Sequence, residues 1–208
     1  MKLDSEAVIW SAPERERAGR PLLVLLHGYG SHEGDLFSLA PHLPLGPVVA
    51  SLRAPVAESA GWAWFSLRGS EPGNPEQGRV DAAAQAVLDW LDEQHYASVA
   101  LLGFSQGAAI ALQLMRLAPE RFAAVVALSG FVEGGRHSGD EALLAQGIPV
   151  FWGRGTEDRV ITAAAIARTE EWLPAHADAT VRIYENLAHG ISAGELGEVN
   201  GFLRAALA

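Results

Sequence analysis

The stretch Val99-Ala-Leu-Leu-Gly-Phe-Ser105-Gln-Gly-Ala-Ala-Ile-Ala-Leu-Gln-Leu-Met115 decides the fold that we predict for this chain. It combines a short apolar strand, a Gly-x-Ser-x-Gly corner and an apolar helix. The glycines let a strand turn into a helix within two residues, because Cβ atoms beside the corner would collide with the turning backbone. The serine is then exposed alone at the tip of the turn, which is the geometry of a nucleophile elbow.

The composition predicts one soluble domain spanning residues 1–208. Apolar residues make up 49% of the chain, and the formal charge of −10 without a basic cluster argues against nucleic acid or anionic membranes as partners. The absence of cysteine excludes disulfides, thiolate metal sites and a cysteine nucleophile. We find neither a secretory signal nor an apolar run that could span a bilayer, and we therefore expect a cytoplasmic protein without stable membrane insertion.

Strand and helix patterns alternate along the chain. A continuous apolar run at 22–26 indicates a central parallel strand that is buried on both faces. Residues 53–75 are expected to form a long irregular segment. Further strands are predicted at 8–10, 48–52, 98–104, 121–129, 149–153 and 180–185, and helices at 35–42, 76–94, 161–176 and 194–207 besides the helix after the corner. This alternation predicts an α/β fold with a doubly wound, mostly parallel sheet.

The Gly-x-Ser-x-Gly pattern occurs twice, because Gly190-Ile-Ser192-Ala-Gly194 also fits it. In a sheet of this kind the catalytic groups follow in the order serine, acid, histidine. No histidine follows Ser192, and no apolar strand precedes it. Ser192 and Glu195 instead form the pattern of a helix capping box. We therefore assign the nucleophile to Ser105.

Three histidines after Ser105 could supply the general base. His137 comes too early for the chain order, and His176 follows Pro174, which is expected to end its helix and leave the histidine exposed there. His189 comes directly after the last strand, where the base belongs. His27 would break the chain order and is interpreted as a loop-shaping residue.

Several acidic residues lie on loops between the nucleophile and the base. Glu133 and Asp158 each follow a strand, whereas Glu185 ends the last strand too close to His189. The glycines in Gly153-Arg-Gly-Thr-Glu-Asp158 allow a tight turn that would aim the carboxylate at the active-site edge. We predict Asp158 as the acid, with the adjacent Glu157 as the alternative.

These residue types fit the chemistry of a serine hydrolase. A serine hydroxyl becomes a good nucleophile when a neutral imidazole takes its proton, and a carboxylate orients that imidazole. The negative tetrahedral oxygen needs donors, for which we predict the amide of Gln106 and an amide from the loop His27-Gly-Tyr-Gly30. The remaining histidines show no clustering at ligand spacing, so we predict no metal site.

At this point the sequence resembles the phospholipase/carboxylesterase family of α/β-hydrolases, which is related to acyl-protein thioesterases. The similarity runs from about residue 20 to the C-terminus. It is carried by Leu26-His-Gly-Tyr-Gly30 with Asp35, Leu102-Gly-Phe-Ser-Gln-Gly107, Ala118-Pro-Glu-Arg-Phe122, Ala127-Leu-Ser-Gly130, Gly155-Thr-Glu-Asp158 and Ala188-His-Gly-Ile191.

The resemblance implies a triad of Ser105, Asp158 and His189, with oxyanion donors from the amides of Tyr29 and Gln106. It also implies hydrolysis of esters or thioesters without a cofactor. The segment Trp62-Ala-Trp64-Phe65 resembles the part of the family that lines the acyl site. The other interpretation of Trp62, Trp64 and Phe65 is an aromatic cluster that anchors the long loop to the domain.

The connection between Ser129 and Ile148 is too short for a helical cap domain. An uncapped site suits short or medium acyl chains, or chains carried by a larger molecule. We therefore predict a serine esterase or thioesterase that acts on small molecules through an acyl-enzyme. Lysophospholipids, lactones and peptides are alternative substrates, a hydrolase-fold binding protein without turnover is the alternative of another class, and a homodimer is left open.

Overall fold

The computed structural model describes residues 1–71 and 73–207, in which the chain forms nine strands and six α-helices. The strands are β1 (Ile9–Trp10), β2 (Leu22–Leu26), β3 (Val48–Leu52), β4 (Val56–Glu58), β5 (Gly61–Ala63), β6 (Val99–Phe104), β7 (Phe122–Leu128), β8 (Pro149–Gly155) and β9 (Asp178–Tyr184). The helices are α1 (Glu33–Phe37), α2 (Gln77–Asp92), α3 (Gln106–Leu117), α4 (Asp140–Gln146), α5 (Ala163–His176) and α6 (Ala193–Ala206).

Seven of the strands form one sheet in the order β1-β3-β2-β6-β7-β8-β9. β1 runs antiparallel to β3, and every other pair in this sheet is parallel. Leu26 at the end of β2 lies opposite Gly103 near the end of β6, so the loops that follow these strands leave from the same edge. The predicted doubly wound, mostly parallel sheet is confirmed.

The apolar run of β2 is explained by cores on both faces of the sheet. Leu22, Val24 and Leu26 pack in one cluster with residues of α2 and α3. Leu23 and Leu25 point the other way and pack in a second cluster with residues of α1 and α6. Alternate side chains of a strand point to opposite faces, so a strand covered twice must be apolar throughout.

The segment 53–75 contains more regular structure than we predicted. β4 and β5 pair as an antiparallel hairpin, in which Val56 lies opposite Ala63. The hairpin docks on the loop after β2, because Gly30 donates its N–H to the Trp62 carbonyl and Trp62 donates to the Ser31 carbonyl. The prediction of an irregular segment was therefore wrong for its first half.

α1 is shorter than predicted, whereas α5 keeps its predicted end at His176 although Pro174 was expected to terminate it. α1 ends at Phe37 and a short 3₁₀ turn follows at Ala40–His42, because Pro41 has no N–H with which to continue the α-helical hydrogen bonds to the Phe37 carbonyl. α5 runs through Pro174 to His176. The carbonyl of Glu170 that loses its amide partner there is on the exposed side of the helix, where water can satisfy it.

The connection from β7 to β8 carries only the short helix α4, which the sequence did not predict, and no cap domain is evident in the described residues. Among residues 1–71 and 73–207, no helix has the length and hydropathy needed to cross a membrane.

The strand-to-helix corner at Ser105 depends on the glycines that flank it. A Cβ atom on Gly103 would collide with the carbonyl of Gly107, and one on Gly107 would collide with the carbonyl of Leu26 on the neighbouring strand. Both obstacles are backbone atoms, one in α3 and one in β2, which cannot move aside as a flexible side chain can. Glycine is therefore required at both positions by packing.

We predict that Gly107→Ala destabilises the protein by about 3 kcal/mol or more, because the added methyl group must push α3 away from β2. The free energy of unfolding from chemical denaturation measures this effect. Gly201→Ala in α6 is the matched control, since a Cβ there meets open space. It should stabilise the helix by about 0.5–1 kcal/mol. Equal effects of the two substitutions would contradict the packing argument.

Candidate active site

Three side chains meet at the carboxyl edge of the parallel sheet. Ser105 follows β6, Asp158 lies on the loop after β8 and His189 lies on the loop after β9. The hydroxyl of Ser105 is 2.9 Å from Nε2 of His189, and Nδ1 of His189 is 2.7 Å from Oδ2 of Asp158. The structure thus brings together the three residues that the sequence singled out, in one continuous chain of hydrogen bonds.

Ser105 has the backbone conformation of a sharp turn. Its φ of 55° and ψ of −115° lie in a region that residues with a side chain rarely adopt. The conformation is held by its own N–H, which donates to the Leu128 carbonyl at 2.8 Å, and by its carbonyl, which accepts from Ala108 and Ala109 at the start of α3. The surrounding sheet and helix therefore fix the hydroxyl in place.

Asp158 uses its two carboxylate oxygens for different contacts. Oδ1 accepts from the amides of Val160 at 2.8 Å and Ile161 at 3.1 Å, which closes a tight turn. Oδ2 faces His189, and the side chain is only 2% exposed. The turn role and the contact with histidine coexist because the turn leaves one oxygen free to point at the ring.

The other acidic candidates do not reach His189. Glu157 forms an exposed ion pair with Arg159 at 3.6 Å. Glu185 is exposed at the end of β9. Glu133 is buried in a separate cluster, where its carboxylate contacts Arg116 and His137.

The ring of His189 is held from two sides. It packs against Phe104 with the ring centroids 5.0 Å apart, and its Nδ1 faces Asp158. With a proton on Nδ1, the ring donates to the carboxylate and leaves Nε2 to accept a hydrogen bond from the Ser105 hydroxyl. This arrangement is the one in which an imidazole can take the serine proton.

The remaining histidine candidates have other roles. His27 is buried, and burial lowers its pKa, so the ring is neutral. Its Nε2 accepts from the Ala54 amide at 3.1 Å, which joins two loops and agrees with its interpretation as a loop-shaping residue. His137 is buried beside Gln113. His176 was expected as an exposed residue at the end of its helix; it lies in the last turn of α5, is partly buried, and stacks on Trp172 with the ring centroids 4.4 Å apart.

The two amides predicted as oxyanion donors belong to two elements that adjoin Ser105. Gln106 begins α3, where backbone N–H groups have no partner within the helix. Tyr29 is in the loop after β2, and this loop passes so close that a Cβ on Gly28 would touch the Ser105 side chain. Neither the Tyr29 nor the Gln106 amide has a hydrogen-bond partner among the described residues.

Gln106 also has a role that sequence analysis missed. Its side-chain Oε1 accepts from the Trp64 amide at 2.8 Å, and its Nε2 donates to the Phe65 carbonyl at 2.7 Å. The side chain therefore holds Trp64 and Phe65, which directly follow β5, against the start of α3. The signal in the sequence was a polar residue at the start of a mostly apolar helix, which also contains Gln113 and Arg116.

The three aromatic residues predicted to bind substrate separate in the structure. Only Phe65 lines the cleft beside Ser105. Trp64 is fully buried and donates its indole N–H to the His27 carbonyl at 2.8 Å. Trp62 stacks under the guanidinium of Arg53. The assignment of Trp62 and Trp64 to the substrate site is corrected by these positions, because both anchor the hairpin instead.

The cleft beside Ser105 and Gln106 has a volume of about 290 Å³. Its apolar lining comes from Tyr29, Phe65, Leu67, Phe131, Val160 and Ile161. Of these, sequence analysis predicted only Phe65 as a substrate-binding residue, and it predicted Tyr29 only as an oxyanion donor. Val160 and Ile161 come two and three residues after Asp158 in the sequence. An apolar pair so close to the predicted acid was a usable signal that these residues line the cleft.

Ser192 has the structural role predicted for it. Its hydroxyl accepts from the Glu195 amide at 3.1 Å, and the Glu195 carboxylate accepts from the Ser192 amide, which completes a capping box at the start of α6. Glu195 is fully buried, and its Oε1 has no partner among the described residues. Burial raises the pKa of this carboxyl group to about 7.

The seven-stranded sheet, the glycine-flanked corner and the absence of an evident cap in the described residues define an α/β-hydrolase. The model of the phospholipase/carboxylesterase family matches residues 6–207. The chain therefore belongs to the phospholipase/carboxylesterase family, and the predicted family and the predicted hydrolase class are confirmed.

Named relatives are consistent with this family. Esterase YpfH of Escherichia coli is 31% identical over 188 residues, covering 85% of this chain and 78% of that protein. Acyl-protein thioesterase 1 of Candida albicans is 28% identical, covering 92% and 94% of the two chains. The carboxylesterase structure from Bacillus cereus has a TM-score of 0.80 at 22% identity, covers 96% and 93% of the chains, and supports the fold alone.

The raised pKa of Glu195 predicts a pH dependence of stability. Between its ordinary value of 4.5 and about 7, the folded state binds a proton that the unfolded state has lost. The free energy of unfolding should therefore fall as pH rises through this window, by up to about 3 kcal/mol from this group.

Chemical denaturation of the Glu195→Gln variant between pH 5 and 8 measures this contribution. Glutamine keeps the capping box but does not titrate. The variant should therefore lose the part of the pH dependence of its unfolding free energy that comes from Glu195. Glu171→Gln, at an exposed position of α5, is the control and should leave the slope unchanged. A wild-type slope in Glu195→Gln would contradict the prediction.

Proposed function

We propose that this hydrolase cleaves carboxylic esters or thioesters through an acyl-enzyme formed on Ser105. The observation that carries the proposal is the chain of hydrogen bonds from Ser105 through His189 to Asp158, with distances of 2.9 and 2.7 Å. The named esterase and thioesterase relatives support the same two bond types. Neither bond type requires a cofactor in this mechanism.

In the first half of the reaction, Oγ of Ser105 attacks the carbonyl carbon while Nε2 of His189 takes the hydroxyl proton. Asp158 orients the ring and stabilises the imidazolium that forms. The carbonyl oxygen becomes negative and accepts hydrogen bonds from the amides of Tyr29 and Gln106. The bond to the leaving oxygen or sulfur then breaks, and His189 returns the proton to the leaving group.

In the second half, water replaces the leaving group beside His189. The ring takes a proton from this water, and the resulting hydroxide attacks the acyl carbon. The bond between the acyl carbon and Ser105 breaks, and the serine regains its proton from His189. The products are a carboxylic acid and the free enzyme.

The positions of His189 and of the apolar cleft indicate where the leaving group and the acyl chain of the substrate bind. His189 must reach the leaving atom, so the leaving group lies on its side, in a shallow depression shared by Glu157 and Arg159. The apolar cleft borders Ser105 and Gln106 instead, and we assign it to the acyl chain. A cleft of about 290 Å³ without a cap fits short or medium chains.

The identity of the nucleophile is tested by labelling with a fluorophosphonate. Intact-mass analysis should show one adduct on the wild-type protein and none on Ser105→Ala, which should also lose about 10⁴-fold or more in kcat/KM. Ser192→Ala is the matched control, because Ser192 occupies the same five-residue pattern. The Ser192→Ala variant should still form the fluorophosphonate adduct and remain active. It should lose about 1 kcal/mol of stability, because the helix cap is removed. An adduct on Ser192, or on Ser105→Ala, would contradict the assignment.

The acyl side of the site is tested with Leu67→Asp. Leu67 is 46% exposed at the rim of the cleft, so the protein should tolerate the substitution. An acyl chain entering the cleft would strip water from the new carboxylate, and KM for p-nitrophenyl hexanoate should rise about 10-fold or more.

The acetate ester does not fill the cleft and should be hydrolysed by Leu67→Asp as by the wild type. Leu45→Asp is the control, because Leu45 is 84% exposed near the start of β3, at the opposite edge of the sheet. Equal effects of Leu67→Asp on both esters would place the acyl chain elsewhere.

A further inference from the structure

The apolar cleft has two walls that belong to separate parts of the chain. Phe65, Leu67 and Gly73 line it from the segment between β5 and α2. Phe131 lines it from the segment between β7 and α4, together with Ile161 just before α5. Both walls are loops rather than strands, and the described backbone hydrogen bonds do not join the first of these segments to the second. Their separation must therefore be fixed by side chains.

Arg168 on α5 connects the two segments directly. Its Nε donates to the Val132 carbonyl at 2.9 Å, and its Nη2 donates to the Gly73 carbonyl at 2.7 Å. Within the described residues, no carboxylate lies within ion-pair distance of this guanidinium. A planar guanidinium holds its donors in a fixed fork, so the two carbonyls are kept at a fixed separation.

The residue next to Arg168 strengthens the same connection. Thr169 is fully buried, and its hydroxyl accepts from the Val132 amide at 3.0 Å and donates to the Ala165 carbonyl at 2.8 Å. Both backbone groups of Val132 are therefore bound to α5. Because Phe131 precedes Val132 in the chain, this attachment also places the Phe131 side chain in the cleft.

Gly73 is seated on the same helix by close packing. Its φ is +72°, and a Cβ there would collide with the Thr162 hydroxyl, which caps the start of α5. The wall that contains Gly73 thus lies directly on the first turn of the helix. α5 is a common support for both walls, and Arg168 is the side chain that bridges them.

We propose that Arg168 is a specificity-determining positioning residue, which sets the width of the acyl cleft by holding the Gly73 and Val132 carbonyls together. It rests on the proposed function, because it assigns the cleft to the acyl chain. Arg168 itself does not touch Ser105 or the reacting atoms. Its effect therefore depends on how far the acyl chain extends into the cleft.

The test compares p-nitrophenyl acetate with p-nitrophenyl hexanoate on Arg168→Lys and Arg168→Met. Lysine keeps the charge but lacks the fork, so both variants should lose about 10-fold in kcat/KM for the hexanoate, mainly through KM. The acetate, which does not reach between the walls, should change less than about 2-fold. Thr169→Val releases only the Val132 amide. It should lower the ratio of kcat/KM for the hexanoate to kcat/KM for the acetate in the same direction, but by less.

The matched control is Arg121→Lys. Arg121 pairs with Asp92 at the amino end of β7, at the edge of the sheet opposite Ser105. This variant should leave the ratio of the two esters unchanged. Thermal unfolding of all variants shows whether they fold, and Thr169→Val carries the test if both Arg168 variants do not.

An equal loss on both esters, or no loss on either, would overturn the role of Arg168 in specificity. Failure of the proposed function has a different signature. In that case the wild-type protein would hydrolyse neither ester and Ser105 would not react with a fluorophosphonate.

Discussion

The turn at Ser105 depends on the absence of two side chains. Gly103 and Gly107 let β6 end, turn and begin α3 while α3 stays in contact with the Leu26 carbonyl on the neighbouring strand. The strained backbone of Ser105 is compensated by hydrogen bonds to the sheet and to the helix. Because the strands around the turn are parallel, the loops that carry Asp158 and His189 leave from the same edge. The two glycines therefore determine where the Ser105 hydroxyl lies. The parallel direction of the strands determines that Asp158 and His189 lie at the same edge.

A second set of contacts keeps the surroundings of Ser105 rigid. The Gln106 side chain holds both the Trp64 amide and the Phe65 carbonyl, and the Trp64 indole holds the carbonyl of His27. The neutral His27 ring accepts from the Ala54 amide. These buried polar groups satisfy one another, and their hydrogen bonds tie the hairpin and the loop after β2 to the start of α3. The residue after the serine thus organises the surroundings of the site with its side chain, and its amide is the proposed oxyanion donor.

The sequence was sufficient for the sheet and for the residues that meet at its edge. Parallel strands place successive loops on one side, so chain order pointed to His189, and the glycine-containing turn pointed to Asp158 among the acids that order allowed. The structure brings both residues together with Ser105. The aromatic residues could not be assigned in this way. Composition does not reveal which face of a loop is buried, and Trp62 and Trp64 anchor the hairpin whereas Phe65 faces the cleft.

Pro174 and the segment 53–75 show a related limit of sequence analysis. Proline usually ends a helix, but the exposed turn of α5 tolerates it because water can replace the missing bond. The hairpin of β4 and β5 is too short for a periodic signal and is stabilised by its contacts with the loop after β2. Both outcomes are set by tertiary surroundings that local residue preferences do not contain.

The open rim of the cleft has a kinetic consequence. Tyr29, Leu67 and Val160 are exposed around its mouth, and in the described residues the connection from β7 to β8 adds only the short helix α4. Enzymes with lids are often limited by the microsecond-to-millisecond opening that releases product. The described residues place no lid over this cleft, so under the proposed function we expect products to leave by diffusion without waiting for a lid to open.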